Sequence, residues 1–259
     1  MRRSPLLSLL PFLLLLLLCL PKTGQTHPHI LQLDSGQEID YQALLDELSS
    51  VQVIHIGESH DHAGHHRMQA EIIRGLVGRG LKVAVGLEMF RVDAQAALDS
   101  WTGQELDVVD FEAVFNQNWS WWPEYRPLFL SLREQKLPLL ALNISRDITR
   151  QVARNGFGSL TAEQLKGIAG APCIVDPTYA AFIRRALGEH EQEDDNFTFF
   201  CEAQLLWDIA MARHLADFLA KNPQHKIVVL AGSGHSWKYG IPAQLCKYPP
   251  VKLGALGDC

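Results

Sequence analysis

The chain lacks most of the short signatures that identify a site by themselves. No Cys-x-x-Cys pair occurs, so a zinc–thiolate centre is not expected. There is no His-Glu-x-x-His, which removes the zincin class. There is no Gly-x-Ser-x-Gly elbow either, so Ser59 and Ser233 do not read as seryl nucleophiles. Basic runs are missing and the formal net charge is −6. Nucleic-acid affinity depends on neutralising phosphates, so nucleic acid is not an expected partner. Internal repeats and long disordered linkers are also absent.

What the chain does have begins with a leader. Arg2 and Arg3 precede an apolar run from Leu6 to Leu20, broken only by Ser8 and Pro11. The run falls short of the ~20 residues that cross a bilayer and has the basic start of a secretory signal. A signal peptide over residues 1–24 is expected, with cleavage between Gly24 and His27; an uncleaved anchor is the alternative. Cys19 stands where a bacterial lipoprotein carries its acylated cysteine, but Leu18 occupies the place of the required small residue. Export permits disulfides. A Cys246–Cys259 bridge across Pro249 and Pro250 is favoured, while Cys173 and Cys201 read equally well as core residues. With 259 residues, 47% of them hydrophobic, the remainder (27–259) reads as a single domain with one large core.

Four nearly continuous apolar runs predict strands buried on both faces: from Val51, Lys82, Leu137 and Lys226. Helical patterns alternate with them. "HHRMQAEIIRGLVGRG" puts Met68, Ile72 and Leu76 on one face and exits at Gly78 or Gly80. "YRPLFLSLREQ" carries proline in its expected first turn, and "FFCEAQLLWDIAMARHLADFLAKNP" is stopped by Asn222 and Pro223. The alternation predicts an α/β fold: a mostly parallel central sheet flanked by helices. Residues 101–126, with Trp101, Trp119, Trp121, Trp122 and Tyr125, and residues 157–196, with the acidic "GEHEQEDDN", read as helical insertions.

Polar residues fall where these strands end. Glu58 and His60 follow the first, Glu88 ends the second, Asn143 follows the third and His235 follows the fourth. Ligands of open parallel sheets bind outside the carboxyl ends of strands, so these positions predict a site. "GESH" and "GSGH" share Gly-x-x-His, in which glycine allows a tight turn and close approach of a ligand. His60 and His235 with Glu58 or Glu88 match a three-ligand metal site with an open position, Glu88 being taken as the ligand; Glu58, His60, Glu88 and His235 are the candidate catalytic residues. Of the other histidines in "HIGESHDHAGHH", His62 and His66 share a helix face if Ser59 or Asp61 caps that helix. The plainer reading leaves His62, His65 and His66 solvated and makes His55 a hydrogen-bonded core residue. Glu202, Gln204 and Asp208 accompany Trp207 on the long helix, where charged groups usually form a solvated face.

"VIHIGESHDHAGHH", "VGLEMF", "YRPL", "LALNISRDITRQVARNG", "EAQLLWDIAMA" and "GSGHSWKYGIP", in this order, resemble the ChaN-like family of the haem-binding uptake/Tiki superfamily, which also includes erythromycin esterases and TraB proteins. The resemblance runs from about residue 45 to 245. It implies an α/β protein of the bacterial periplasm or cell envelope, often a lipoprotein, associated with haem or iron uptake. Its polar signature falls on Glu58, His60, Asp61, His65, Glu88, Asn143, Glu202, Gln204, Asp208 and His235. Ser59 departs from the expected glutamine, and "HSWKYGIP" from a more tyrosine-rich version.

Two functions follow. As a haem-binding protein, the chain would wall an apolar slot with the tryptophans and the 157–196 segment, and Tyr179, His60 or Tyr125 would reach the iron. As a hydrolase of peptide or ester bonds, it would use Mn, Co or Zn on His60, His235 and Glu88 to activate water. The partners left open are haem or a small-molecule or peptide substrate, a membrane reached through an N-terminal lipid, and a second copy in a homodimer.

Overall fold

The computed structural model describes residues 29–167, 175–187 and 194–248. The leader with Cys19, the cleavage site, Cys173, Cys259 and most of the acidic loop lie outside the described residues. Cys246 is disulfide-bonded, and Cys201 is a free, buried thiol.

The chain divides into two compact units, Met1–Leu44 and Leu45–Cys259. The first carries an antiparallel hairpin of β1 (Ile30–Gln32) and β2 (Gln37–Ile39), closed by Gly36 at φ 68°. Helix α1 (Tyr41–Ser50) straddles the boundary.

The second unit is built on β3 (Val53–Glu58), β4 (Val83–Arg91), β5 (Leu139–Asn143) and β6 (Lys226–Gly232). All are parallel, in the order β3-β6-β4-β5. The two central strands, β4 and β6, are buried almost throughout, which is why their sequences do not alternate. β3 is an edge strand, and its last turn of chain stays partly open at Gly57.

Helices flank this sheet. α2 (Ala63–Gly78) packs against α5 (Trp122–Glu134), while α3 (Gln95–Thr102) and α4 (Val108–Asn118) complete the insertion after β4. Its core is aromatic: Phe90, Trp101, Phe111, Phe115 and Phe129 are fully buried, and the Trp101 indole donates to the Phe129 carbonyl. After β5 come α6 (Arg146–Asn155), α7 (Ala162–Gly167), α8 (Pro177–Leu187) and α9 (Asp194–Lys221). α9 packs on α6, β5 and α11 (Ile241–Leu245); between β6 and α11 lies the single turn α10 (Ser233–Ser236). Among the described residues no helix is long and apolar enough to cross a membrane.

Several local expectations change. α5 begins at Trp122 with Pro123 in its first turn, so Pro127 lies inside the helix. Trp121 before it is left-handed at φ 64°, a conformation that costs a bulky residue about 1–2 kcal/mol. The buried face of α2 is His66, Gln69, Ala70, Ile72, Ile73 and Leu76, and Met68 is only half-buried. Gly80 adopts φ 78° just beyond that helix, as its exit requires.

Candidate functional site

β3 delivers Glu58 into the interior, where the residue is 3% exposed and its carboxylate is surrounded by donors. His60 Nδ1 lies 2.9 Å from Oε1, the Tyr125 hydroxyl donates to the same oxygen, and Gln69 Nε2 donates to Oε2 at 2.7 Å. Burial alone would raise the pKa of Glu58, but the hydrogen bonds from His60, Tyr125 and Gln69 outweigh it and hold the carboxyl below its usual range. Burial, helped by the same charge, pushes the Tyr125 hydroxyl well above its ordinary pKa. Burial works against a proton on His60, yet the hydrogen bond to Glu58 and the charges of Glu88 and Glu58 raise its pKa overall.

The last strand delivers a matching group. His235 Nδ1 lies 2.7 Å from Asp208 Oδ1, and Asp208 Oδ2 accepts from the Tyr179 hydroxyl at 2.8 Å. Burial opposes protonation of His235, but the Asp208 and Glu88 carboxylates carry its pKa up to about 9. Burial also raises Asp208, which is fully buried in α9, so the pair retains its proton at neutral pH.

Glu88 links the halves. It sits within β4, where register with β5 shifts between Leu87 and Arg91, an irregularity of the kind that re-aims side chains. Its Oε2 accepts the Gly232 N–H at 2.6 Å and its Oε1 lies 3.7 Å from His235 Nε2. Asn143, the last residue of β5, braces this strand by donating to the Glu88 carbonyl at 3.0 Å. The strand ends therefore meet at one rim of the sheet, as their sequence positions predict.

The two glycines work differently from expectation. Neither Gly57 nor Gly232 has a positive φ; each makes room for the other loop. A Cβ on Gly57 would stand 3.1 Å from Ser233 Cα, and one on Gly232 would stand 3.0 Å from both Cε1 and Nε2 of His60. The close approach is between the two Gly-x-x-His segments themselves.

Other expected residues take supporting places. Tyr125 and Tyr179 are buried with their hydroxyls given to acids, which turns them from iron-reaching groups into braces. His62, not Ser59 or Asp61, caps α2: its Nδ1 accepts from the His65 N–H. His65 Nδ1 accepts from the Ser59 N–H at 2.9 Å and ties down the loop, while Asp61 is exposed. His66 is not solvated. It is 1% exposed, stacks on Tyr125 with centroids 3.8 Å apart, and places Nε2 3.6 Å from Glu58. His55 is enclosed, and among the described residues neither ring nitrogen has a hydrogen-bond partner; burial lowers its pKa to about 4. Glu202 accepts the Phe157 N–H at 2.6 Å and holds the turn after α6 instead of joining the cluster.

The metal expected on His60, His235 and Glu88 finds no ligand set. Among the described residues no three His, Cys, Asp or Glu side chains are arranged to hold an ion. Glu88 is the member already engaged: its Oε2 accepts the Gly232 N–H, and its Oε1 faces His235 Nε2 at 3.7 Å.

Each imidazole has an indole beside it. Trp119 meets His60 edge-on with centroids 5.0 Å apart, and Trp207 meets His235 at 5.6 Å. Both indoles also line a cavity of about 370 Å³, with Ile144 and Phe200 as further apolar walls and Gln204 and Asn143 as polar ones. Arg91, Arg146 and Arg150 complete it. These arginines, together with Gln69 and His66, are the groups that sequence reasoning missed. For His66 and Gln69 a signal existed, since they continue the apolar stripe of α2 through Ile73 and Leu76.

The sequence matches the family described as haem-binding uptake, Tiki superfamily, ChaN, over residues 44–245. Among solved structures, ChaN of Campylobacter jejuni, which shows cofacial haem binding, is similar at TM-score 0.65 and 22% identity, covering 86% of this chain and 87% of that one. An erythromycin esterase in its open conformation aligns at TM-score 0.44 and 18% identity, over 74% of this chain and 63% of the esterase. A Bacillus cereus protein aligns at TM-score 0.47 and 16% identity, over 81% and 63%. No curated protein matches the chain. At 22% identity, the C. jejuni likeness establishes the shared fold.

Proposed function

The chain belongs to the ChaN family of the haem-binding uptake, Tiki superfamily, and from that premise we propose that it is an exported protein that binds haem in the cavity walled by Trp119 and Trp207. The observation that carries this reading is the make-up of that cavity. Haem is a flat apolar ring with two carboxylates and an iron that takes His, Met, Cys or Tyr as axial donor. Indole, phenyl and aliphatic walls suit the ring, and guanidinium groups suit the acids. The indole N–H of Trp207 also has no acceptor among the described residues.

Of the three groups expected to reach iron, Tyr125 and Tyr179 have their hydroxyls committed. His60 is the remaining donor; it does not line the cavity itself but lies against its Trp119 wall, with ring centroids 5.0 Å apart. Its side chain is 29% exposed, Nδ1 is backed by Glu58, and Nε2 makes no hydrogen bond among the described residues. Carboxylate-backed imidazole is the usual arrangement of a metal-ligating histidine, because the acid fixes ring orientation and strengthens the donor. Bound haem supplies an iron centre whose affinity and potential such a donor tunes. The hydrolytic alternative draws on the same two imidazoles, and family membership weighs towards haem. The basic, leucine-rich leader supports export, and with it a place in haem or iron uptake.

Titration of the purified chain with haemin is expected to give a saturable, shifted Soret band; a featureless titration overturns the reading. His60 must lose its proton to act as donor, and its pKa is raised. Affinity is therefore expected to fall as pH drops below that raised value, and His60→Ala to weaken binding about tenfold and remove the pH dependence.

A further inference from the structure

We propose that Arg146, with Arg91 and Arg150, selects the ligand by its carboxylates, so that the site recognises a planar tetrapyrrole diacid whether or not it carries iron. The inference rests on the haem reading and deepens it.

The chain is acidic as a whole, with 29 Asp and Glu against 23 Lys and Arg. The cavity inverts that balance: among the described residues three arginines line it and no acid does. These guanidinium groups are weakly satisfied by the protein. Arg146 makes no ion pair among the described residues, and its one hydrogen bond goes to the Asn118 carbonyl at 2.5 Å. Among the described residues Arg150 has only Asp147 at 3.8 Å, a pair in which both side chains are mostly exposed and which contributes little. Arg91 reaches Asp93 at 3.3 Å and the Gln117 carbonyl at 3.3 Å. Each guanidinium carries five donors, so most of them stay available.

Their placement is also costly unless used. Arg146 is the first residue of α6, where a cation opposes the helix dipole. Arg150 follows one turn later on the same side of that helix. Asn118 ties Arg91 to Arg146, because its side chain accepts from the Arg91 backbone N–H and its carbonyl from the Arg146 guanidinium. Asn118 is itself 4% exposed, which makes this a held arrangement and not a chance meeting of surface residues. A planar guanidinium matches a carboxylate in a bidentate fork, and apolar walls stand opposite for the ring.

The test compares haemin, protoporphyrin IX and protoporphyrin IX dimethyl ester, by absorbance and by quenching of tryptophan fluorescence. In the unaltered protein, protoporphyrin IX is expected to bind saturably and its dimethyl ester at least about tenfold more weakly. In an Arg146→Gln, Arg150→Gln double variant, diacid and ester are expected to bind equally weakly. Both arginines are exposed, and unchanged thermal melting checks that the variant folds. If the ester binds the unaltered protein as tightly as the diacid, or protoporphyrin IX fails where haemin binds, the carboxylate proposal falls while the haem reading stands. If haemin itself does not bind, both fall.

Discussion

The two Gly-x-x-His segments look alike in sequence, and the structure builds the same chain of groups behind each: tyrosine to carboxylate to imidazole. Tyr125, Glu58 and His60 form one; Tyr179, Asp208 and His235 form the other. They differ in where the acid comes from and how wet the imidazole is. Glu58 lies two residues from His60, whose side chain is 29% exposed. Asp208 comes from α9, 27 residues before His235, whose side chain is 11% exposed. The first unit is local and open, and the second is tertiary and closed. An imidazole that must meet a ligand needs the former environment, while one that holds a helix against a sheet needs the latter.

The comparison breaks first on stability. His235→Ala strands a fully buried carboxylate and is expected to cost roughly 3 kcal/mol or more, whereas His60→Ala, at a half-open pair, should cost about 1 kcal/mol. Equal losses in urea denaturation would show that the two segments are energetically equivalent.

Next comes pH. His235 has a folded pKa of about 9 against an ordinary 6.5. Its proton therefore stabilises the fold fully below pH 6.5, and that contribution is lost as pH rises through 9. A fall on the order of 2 kcal/mol between those limits is expected, discounted from the full shift for residual screening. His235→Gln should flatten this slope, and an unchanged slope would place the titrating group elsewhere.

The smallest contrast, about 1 kcal/mol, is between the tyrosines. Tyr179→Phe leaves Asp208 with His235 as its one side-chain donor among the described residues and should cost about 2 kcal/mol; Tyr125→Phe leaves Glu58 with His60 and Gln69 and should cost about 1 kcal/mol. A reversed order in melting temperature would contradict the assignment of the open unit as the better-satisfied one.

The fold and the strand-end acids were legible for a common reason. Strands buried on both faces write continuous apolar runs, and Glu58, Glu88, Asn143 and His235 interrupt or follow those runs where a parallel sheet opens to ligands. Groups whose role depends on another segment were not legible. His66 looked like one of several solvated histidines because its burial is set by Tyr125 and Glu124, far along the chain. The braces Tyr125 and Tyr179 carry the residue type of an iron ligand, and only the acids behind them reveal otherwise. The arginines escaped notice because β4 and α6 bring them together across a gap in sequence, with no cluster to mark them. Pro127 misled because proline usually opens a helix, and here Pro123 already does.

Trp121 shows what the molecule retains beside the open imidazole. Its ring lies over His60 at 6.3 Å and 20°, almost half of it faces solvent, and its backbone has the left-handed form that suits glycine. An engineer seeking a hardier protein would look to glycine at this position, which adopts that backbone form without strain. The same exchange would strip the aromatic cover from His60, so an unstrained backbone and an intact binding rim pull against each other at a single residue.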